Sequence, residues 1–168
     1  PGSSPGGPTK FKAFWSFTSK GFFYRIFKMT TNIKKELLDS YTEANYHVYA
    51  NPSFILKIDI SSKELRKLLI ELNVKFAAFI TAFNPYSQEL PLKENRLRNK
   101  KLEGKIQSLD LYYIKGDGRC GDSGEVGEES FLVFGLSKKQ AINLGKESQQ
   151  NAIVVCGANA TPSLLLLK

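Results

Sequence analysis

The sequence predicts one soluble domain of the α/β (α+β) class, in which helices pack against a mixed β-sheet of about five to six strands. Three observations lead to this prediction. The run Phe76–Phe83 is apolar apart from Thr81, which is typical of a strand covered on both faces. Four leucines recur at helical spacing, and strand-like and helix-like patterns alternate along the chain. With 168 residues, 42% of them apolar, the chain has enough apolar surface for one core.

The first 28 residues differ from the rest in composition. Pro1–Pro8 has the composition of a linker, and residues 11–28 interleave aromatic side chains with lysine and arginine. This segment carries no acid and +5 of the net charge of +8, which leaves +3 for residues 29–168. It lacks the aliphatic core of a secretory signal and the length of a membrane span, although it also suits an anionic membrane surface. We expect residues 1–28 to be a leader outside the fold, and residues 29–168 to form a single domain that begins naturally at Met29.

The domain begins with a predicted helix and a predicted hairpin. Asn32–Glu43 places apolar residues on one helical face, and Thr31 or Asn32 supplies an N-cap. Tyr46–Ala50 and Phe54–Ile60 follow as strands. The short turn between them indicates an antiparallel hairpin.

From residue 61 onward, helical and strand patterns alternate. Ser61 and Glu64 have capping-box spacing, and a helical stripe of leucines follows them at Leu65, Leu68, Leu69 and Leu72. The central strand ends at Asn84-Pro85, because proline cannot donate a hydrogen bond to the sheet. The remaining elements are a helix Leu92–Ser108, a strand Leu111–Ile114, a glycine-rich loop Gly116–Gly127, a strand Ser130–Phe134, a helix Ser137–Ser148 capped by Ser137, a strand Ala152–Val155 and an apolar edge strand Ser163–Leu167.

Two asparagines continue the apolar stripe of the helix Leu92–Ser108. Asn95 and Asn99 share a helical face with the apolar positions Leu102, Ile106 and Leu109. Polar groups that face a core need hydrogen-bond partners. We therefore expect Asn95 to contact the loop that follows the central strand.

That loop is the predicted ligand site. It brings Asn84 and Ser87 close to Asn95, at the end of a strand where open α/β sheets usually bind ligands. Amide and hydroxyl groups at this place are expected to orient a polar ligand, with Arg96 or Arg98 binding an anion. The alternative interpretation is that the asparagines tie the loop to the helix, since buried amides usually satisfy backbone groups.

The glycine-rich segment 116–129 offers a second possible contribution to a site. Gly116 and Gly118 allow backbone to approach a phosphate. The segment lacks the Gly-Lys-Ser/Thr ending of a phosphate-binding loop, and it precedes a strand where a dinucleotide fingerprint precedes a helix. Asp117 and Glu128 have calcium-loop spacing, but residues without ligating oxygens stand between them, so calcium is not predicted. We expect either a flap over the site or an ordinary flexible crossing.

Glu128 and Glu129 are the acid candidates. Adjacent strand residues point to opposite faces, so at most one faces a given pocket, and Glu129 is the candidate for a catalytic acid or base. The only histidine, His47, lies in the early hairpin, far along the chain from Ser87 and Cys120. A Ser/His/Asp or Cys/His arrangement and a zinc site are therefore not predicted. These patterns assign no cofactor and no metal.

Several dispersed motifs occur together in this chain: T-A-F-N-P-Y-S at 81–87, Asn95, G-D-G at 116–118, E-E-S-F-L-V-F-G at 128–135 and Q-N-A-I-V-V at 150–155. With them the chain resembles a bacterial domain-of-unknown-function family, DUF3293, from about Tyr41 to Val155. In that family a tryptophan commonly precedes the acidic pair, where Val126-Gly127 stand here. The resemblance implies no activity. It gives weight as ligand-binding positions to Thr81, Asn84, Ser87, Asn95, Gly116, Gly118 and Gln150, although Gln150 also suits a polar helix end.

Two functions of different classes follow from the sequence. The first is a cytoplasmic domain that binds, with or without transforming, a polar or anionic small molecule or nucleotide. The second is a non-catalytic protein-interaction module in which the asparagines are structural. Nucleic-acid binding is third, because +3 on residues 29–168 is modest and the basic residues of Leu92–Ser108 point round much of that helix. Two widely separated cysteines favour a reducing compartment.

Overall fold

The computed structural model describes residues 33–120 and 127–167, which lie within one compact unit. Residues 1–28 fall outside the described residues, so the predictions made for them stay predictions. The predicted start of the first helix is wrong, because the helix begins at Lys35 with Lys34 at the N-cap position, and not at Asn32 with a cap from Thr31 or Asn32. The described elements are α1 (Lys35–Glu43), β1 (Asn45–Val48), β2 (Phe54–Leu56), α2 (Lys63–Glu71), β3 (Ala77–Ile80), α3 (Leu92–Ser108), β4 (Tyr113–Arg119), β5 (Glu128–Phe134), α4 (Lys138–Glu147), β6 (Ala152–Cys156) and β7 (Pro162–Leu166).

The strands form one sheet in the order β2-β1-β4-β5-β3-β6-β7, and every neighbouring pair is antiparallel. The predicted α+β class is confirmed, but the described sheet has seven strands instead of five to six and is antiparallel instead of mixed. The reason lies in the crossovers. α3 connects β3 to β4 with β5 between them, and α4 connects β5 to β6 with β3 between them. Each helix therefore joins two parallel strands, and an antiparallel strand is inserted between them.

β3 is the central strand, and both of its faces are covered. All four of its residues are buried, as the continuous apolar run predicts, although the strand is shorter than Phe76–Phe83. One apolar layer lies between the sheet and α2 and includes Leu65 and Leu69. The other lies between the sheet and the two helices α3 and α4, and it includes Leu102 and Leu144.

The helices α2, α3 and α4 agree closely with the sequence patterns. α3 begins and ends at the predicted residues, and its buried residues are Asn95, Asn99, Leu102 and Ile106. Leu109, predicted on the same stripe, is 41% exposed because it lies at the end of the helix. Ser137 caps α4 in a capping box with Gln140. α2 is capped by Ser62, whose Oγ accepts from the Leu65 backbone, and not by Ser61.

The first hairpin and the last two strands are confirmed with small changes in their bounds. β1 is Asn45–Val48 and β2 ends at Leu56 instead of Ile60; Lys57 and Ile60 form only an isolated bridge with each other, outside the named strands. β6 extends to Cys156, and β7 forms the predicted edge strand. No helix in the described ranges has the length and apolar character needed to cross a bilayer.

The predicted glycine-rich loop Gly116–Gly127 is wrong at its start. β4 continues to Arg119 instead of ending at Ile114, and β5 begins at Glu128, so Gly116 and Gly118 lie inside a strand. A Cβ at Gly116 would lie 2.1 Å from the backbone oxygen of His47, so this glycine serves close packing against β1 and not a turn. Residues 121–126 fall outside the described residues, and the predicted flap falls largely on them.

Candidate functional site

The two adjacent glutamates at the start of β5 point to opposite faces of the sheet, as predicted for strand neighbours. Glu128 contacts the loop after β3, whereas Glu129 lines a cleft beside α3. The residues predicted for one site are therefore divided between a hydrogen-bonded loop and this cleft.

The loop after β3 is held by a reciprocal pair of asparagines. Asn95 Oδ1 accepts from the Asn84 backbone N–H at 2.8 Å, and Asn95 Nδ2 donates to Asn84 Oδ1 at 2.8 Å. Leu90 completes the ring, since its N–H donates to Asn84 Oδ1 at 3.0 Å and its oxygen accepts from Asn95 Nδ2 at 3.1 Å. This geometry matches the structural alternative for Asn84 and Asn95, in which amides satisfy backbone groups. Their ligand-binding role stays a prediction.

Three further predicted residues also hydrogen-bond to the protein backbone. Thr81 Oγ1 donates to the Glu129 oxygen at 2.7 Å. Arg98 Nε donates to the Ala82 oxygen and Arg98 Nη2 to the Ser148 oxygen, both at 2.9 Å. Gln150 Nε2 donates to the Phe83 oxygen at 2.8 Å. These bonds anchor the exit of β3 between α3 and the end of α4.

Ser87 lies in a backbone turn of unusual conformation. Asn84, Tyr86 and Ser87 all have left-handed φ angles, of 43°, 53° and 60°. Ser87 Oγ is hydrogen-bonded with the Tyr41 hydroxyl and accepts from Asn151 Nδ2 at 3.0 Å. Non-glycine residues in this region cost conformational energy, so these tertiary contacts stabilise the turn.

Glu128 lies on the face of the sheet opposite the cleft. Its Oε1 accepts from Asn84 Nδ2 at 2.6 Å. Burial raises the pKa of the Glu128 carboxyl, and the hydrogen bond from Asn84 opposes this increase only in part. Gly118 pairs with Glu128 across the strands and lies against the ring of Tyr46.

A concave site of the described residues, which we call the α3 cleft, has a volume of about 670 Å³ and lies between α3 and the strands β4 and β5. Three predicted residues, Arg96, Gly116 and Glu129, lie in it. Its polar and charged lining side chains are Tyr49, Arg96, Asn99, Lys100, Glu103, Lys115, Asp117, Arg119, Glu129 and Ser130. Asn99 connects the α3 cleft to the loop, since its Oδ1 accepts from Ala82 N–H at 2.9 Å and its Nδ2 donates to the Glu129 oxygen at 2.8 Å.

Asp117 is the buried charge of the α3 cleft, at 5% exposure. Arg119 holds it with two hydrogen bonds, Nε to Oδ1 at 2.9 Å and Nη2 to Oδ2 at 2.8 Å, and the Tyr49 hydroxyl donates to the same Oδ2. Burial alone would raise the pKa of the Asp117 carboxyl, but the hydrogen bonds from Arg119 and Tyr49 outweigh it and hold the pKa below its usual value. Asp117 is therefore a fixed negative charge.

Two further ion pairs cross the α3 cleft from the helix to the strands. Arg96 Nε lies 2.9 Å from Glu129 Oε1, with both side chains about half exposed. Lys115 Nζ lies 3.0 Å from Glu103 Oε1, which also accepts from the Tyr113 hydroxyl at 2.9 Å. Burial would raise the pKa of Glu103, but these two donors together hold it below its usual value. The contact with Glu103 in turn raises the pKa of Lys115.

Gly127 gives the α3 cleft part of its shape. A Cβ at this position would lie 2.7 Å from Asp117 Cγ and 2.9 Å from Arg119 Cγ. A side chain directly before the acidic pair would therefore displace the Asp117–Arg119 pair.

Sequence analysis did not single out most of the lining residues as a site. Two signals identify them in retrospect. Lys115, Asp117 and Arg119 alternate along β4, which is the period of two that marks one face of a strand. The glycines between them favour a loop in the sequence and obscure this period. On α3, Arg96, Lys100 and Glu103 follow at spacings of four and three, beside the buried asparagine stripe.

Among residues 33–120 and 127–167, no three His, Cys, Asp or Glu side chains are grouped as metal ligands. Residues 80–153 match the model of a family described as a protein of unknown function (DUF3293), which confirms the resemblance over this shorter segment. Neither the curated proteins nor the solved structures contain a significant match to the chain. The matched segment includes α3, β4 and β5, which supply every lining residue of the α3 cleft except Tyr49 and the adjoining Gly127.

Proposed function

We propose that this chain, which resembles the DUF3293 family over residues 80–153, binds a small anionic molecule in the α3 cleft. The observation that carries the proposal is the combination of size and charge. A volume of about 670 Å³ lies within the usual range of small-molecule sites. Four basic side chains line it against three carboxylates, so its excess charge is positive.

The basic residues differ in how readily a ligand can use them. Arg119 is committed to the buried Asp117 by two hydrogen bonds. Arg96 pairs with Glu129 where both side chains are about half exposed, and such pairs contribute only about 0–1 kcal/mol to stability. An anionic ligand replaces Glu129 as the partner of Arg96 at small cost. Lys100 extends from the same helix wall and adds a second positive charge.

The loop after β3 contributes by position and not by direct contact. Asn95 and Asn99 bind backbone groups of the loop and of β5, and so fix α3 against the sheet. This contact sets where Arg96 and Lys100 stand relative to β4. Glu129 remains our candidate for proton transfer, because its carboxylate lines the α3 cleft.

Internal contacts of α3 reduce the support for nucleic-acid binding. Arg98 donates to the backbone oxygens of Ala82 and Ser148, so this side chain is turned toward the protein. A phosphate-tracking helix needs side chains that extend to solvent. We therefore propose that the basic residues act in anion binding within the α3 cleft.

Anion binding to the full chain tests the proposal. Phosphate and citrate are titrated at constant ionic strength into the unmodified protein, Lys100→Gln and the matched control Lys93→Gln, which changes an exposed lysine of α3 outside the α3 cleft. We expect at least one anion to raise the melting temperature, as ligands of the native state do, and K100Q to weaken this effect while K93Q leaves it unchanged. Equal effects of K100Q and K93Q, or no response to either anion, would contradict the proposal.

A further inference from the structure

Tyr49 is unusual among the residues of the α3 cleft because a large aromatic ring there is 52% exposed. Phe131 adds apolar surface to the same cleft, and Gly116 and Gly127 line it without side chains. A volume of about 670 Å³ is far larger than a phosphate or carboxylate group requires. The α3 cleft thus offers space and aromatic surface beyond what a simple anion uses.

We infer that the ligand is a nucleoside phosphate whose base stacks on Tyr49 while its phosphate binds the basic residues of α3. This inference rests on the proposed anion site and names its ligand class. In this arrangement Tyr49 is the residue that distinguishes nucleoside phosphates from phosphates that carry no base. Base stacking on an aromatic side chain tolerates different bases, because every base has a π-face.

The Tyr49 ring is held in place before any ligand binds. Its hydroxyl donates to Asp117 Oδ2 and lies 3.5 Å from Arg119 Nη2. Asp117 is itself buried and fixed by the two hydrogen bonds from Arg119. A ring tethered at its far end loses little side-chain freedom on binding, so more of the stacking energy appears as affinity.

The protonation state of Tyr49 supports the same arrangement. Partial burial raises the pKa of the Tyr49 phenol, and the hydrogen bond to Asp117 raises it further, against the smaller opposing effect of Arg119. The phenol therefore stays protonated at neutral pH and keeps donating to the carboxylate. The ring therefore keeps one orientation at neutral pH, where a phosphate ligand is charged.

The excess positive charge lies on the helix wall of the α3 cleft, because Lys115 and Arg119 on the sheet side are matched there by Asp117 and Glu129. Arg96 and Lys100 stand on α3, whereas Tyr49 follows β1 on the sheet side. A nucleoside phosphate has the matching division, with a planar apolar base at one end and an anion at the other. Inorganic phosphate and a sugar phosphate have the anion that binds α3 but no base that stacks on Tyr49.

The test compares three probes on the full chain by calorimetry at fixed ionic strength: adenosine monophosphate, ribose 5-phosphate and inorganic phosphate. We expect the nucleotide to bind about tenfold or more tightly than ribose 5-phosphate, which is the scale of one stacked base. Tyr49→Ala should reduce nucleotide affinity to the level that the same variant shows for ribose 5-phosphate. Tyr49→Phe, which keeps the ring, should stay within about threefold of the unmodified protein.

Tyr112→Ala is the matched control, because Tyr112 is 55% exposed and does not line the α3 cleft. Its nucleotide affinity should equal that of the unmodified protein. Equal binding of nucleotide and ribose 5-phosphate, or equal losses in Y49F and Y49A, would overturn the stacking inference while leaving the anion site intact. Binding of none of the three probes would overturn the anion site as well.

Discussion

Asn95→Ala is expected to destabilise the domain by about 3 kcal/mol, because net hydrogen bonds contribute roughly 1 kcal/mol each and unpaired buried groups cost about 1–3 kcal/mol. Asn95 is 3% exposed and makes three hydrogen bonds, to the Asn84 backbone, the Asn84 side chain and the Leu90 oxygen. Its loss leaves the Asn84 N–H without this partner. For a domain of this size the melting temperature should fall by about 10 °C. Urea unfolding followed by circular dichroism measures the free energy directly.

A double-mutant cycle tests whether this energy belongs to the asparagine pair. Asn84 has a left-handed φ of 43°, so Asn84→Gly removes the side chain without adding backbone strain. We expect the double variant to lose about 1 kcal/mol less than the sum of the two single variants, since they share one interaction. Lys101→Ala, at an exposed position of α3, is the control and should change stability by less than about 0.5 kcal/mol. A loss below about 1 kcal/mol in N95A, or full additivity, would refute the assigned role.

Three further perturbations have expected outcomes of known sign. Glu128→Gln should stabilise the domain at neutral pH, because the folded pKa of Glu128 is raised and its ionised form is disfavoured, and the gain should vanish below about pH 4; an equal gain in melting temperature from pH 3 to 8 would contradict this. Asp117→Asn should destabilise the domain at neutral pH. The folded pKa of Asp117 is lowered, so its ionised carboxylate stabilises the domain above about pH 4, and this stabilisation is lost as pH falls through the folded pKa. A difference in urea midpoint between the variant and the unmodified protein that is equal at pH 2.5 and 7 would contradict this. Gly116→Ala should disrupt the β1–β4 contact, since its Cβ would lie 2.1 Å from the His47 oxygen, whereas Gly104→Ala, with nothing within 4 Å, should be tolerated; similar melting curves for the two would show that the strands do not pack as described.

The sequence predicted elements that are specified by local periodicity. α3 begins and ends as expected because its buried stripe persists over about three turns, even though two of its members are asparagines. β3 was recognised because both faces are buried, so no polar residue breaks the run. Ser137 and Gln140 mark the start of α4 through a capping box that depends on neighbours in sequence alone.

Features set by distant parts of the chain were not predicted. The sequence around Gly116 predicts a loop, because it does not show that a side chain at this position would collide with the His47 backbone on another strand. The antiparallel order depends on a strand inserted between the two strands that α3 connects and between the two that α4 connects. The α3 cleft combines a residue after β1 with residues of α3, β4 and β5, and only the fold brings Tyr49 to Asp117.

Backbone amide shifts of the isotopically labelled full chain, followed during titration with sodium phosphate at constant ionic strength, give the most direct test of the anion site. If the α3 cleft binds the anion, the largest changes will map to Gly116, Gly127 and Ser130, which line it. Gly145, which packs between Leu167 and Ile153 outside the α3 cleft, should not shift. Changes concentrated in residues 84–90, or shifts no larger at Gly116 than at Gly145, would contradict the proposed site.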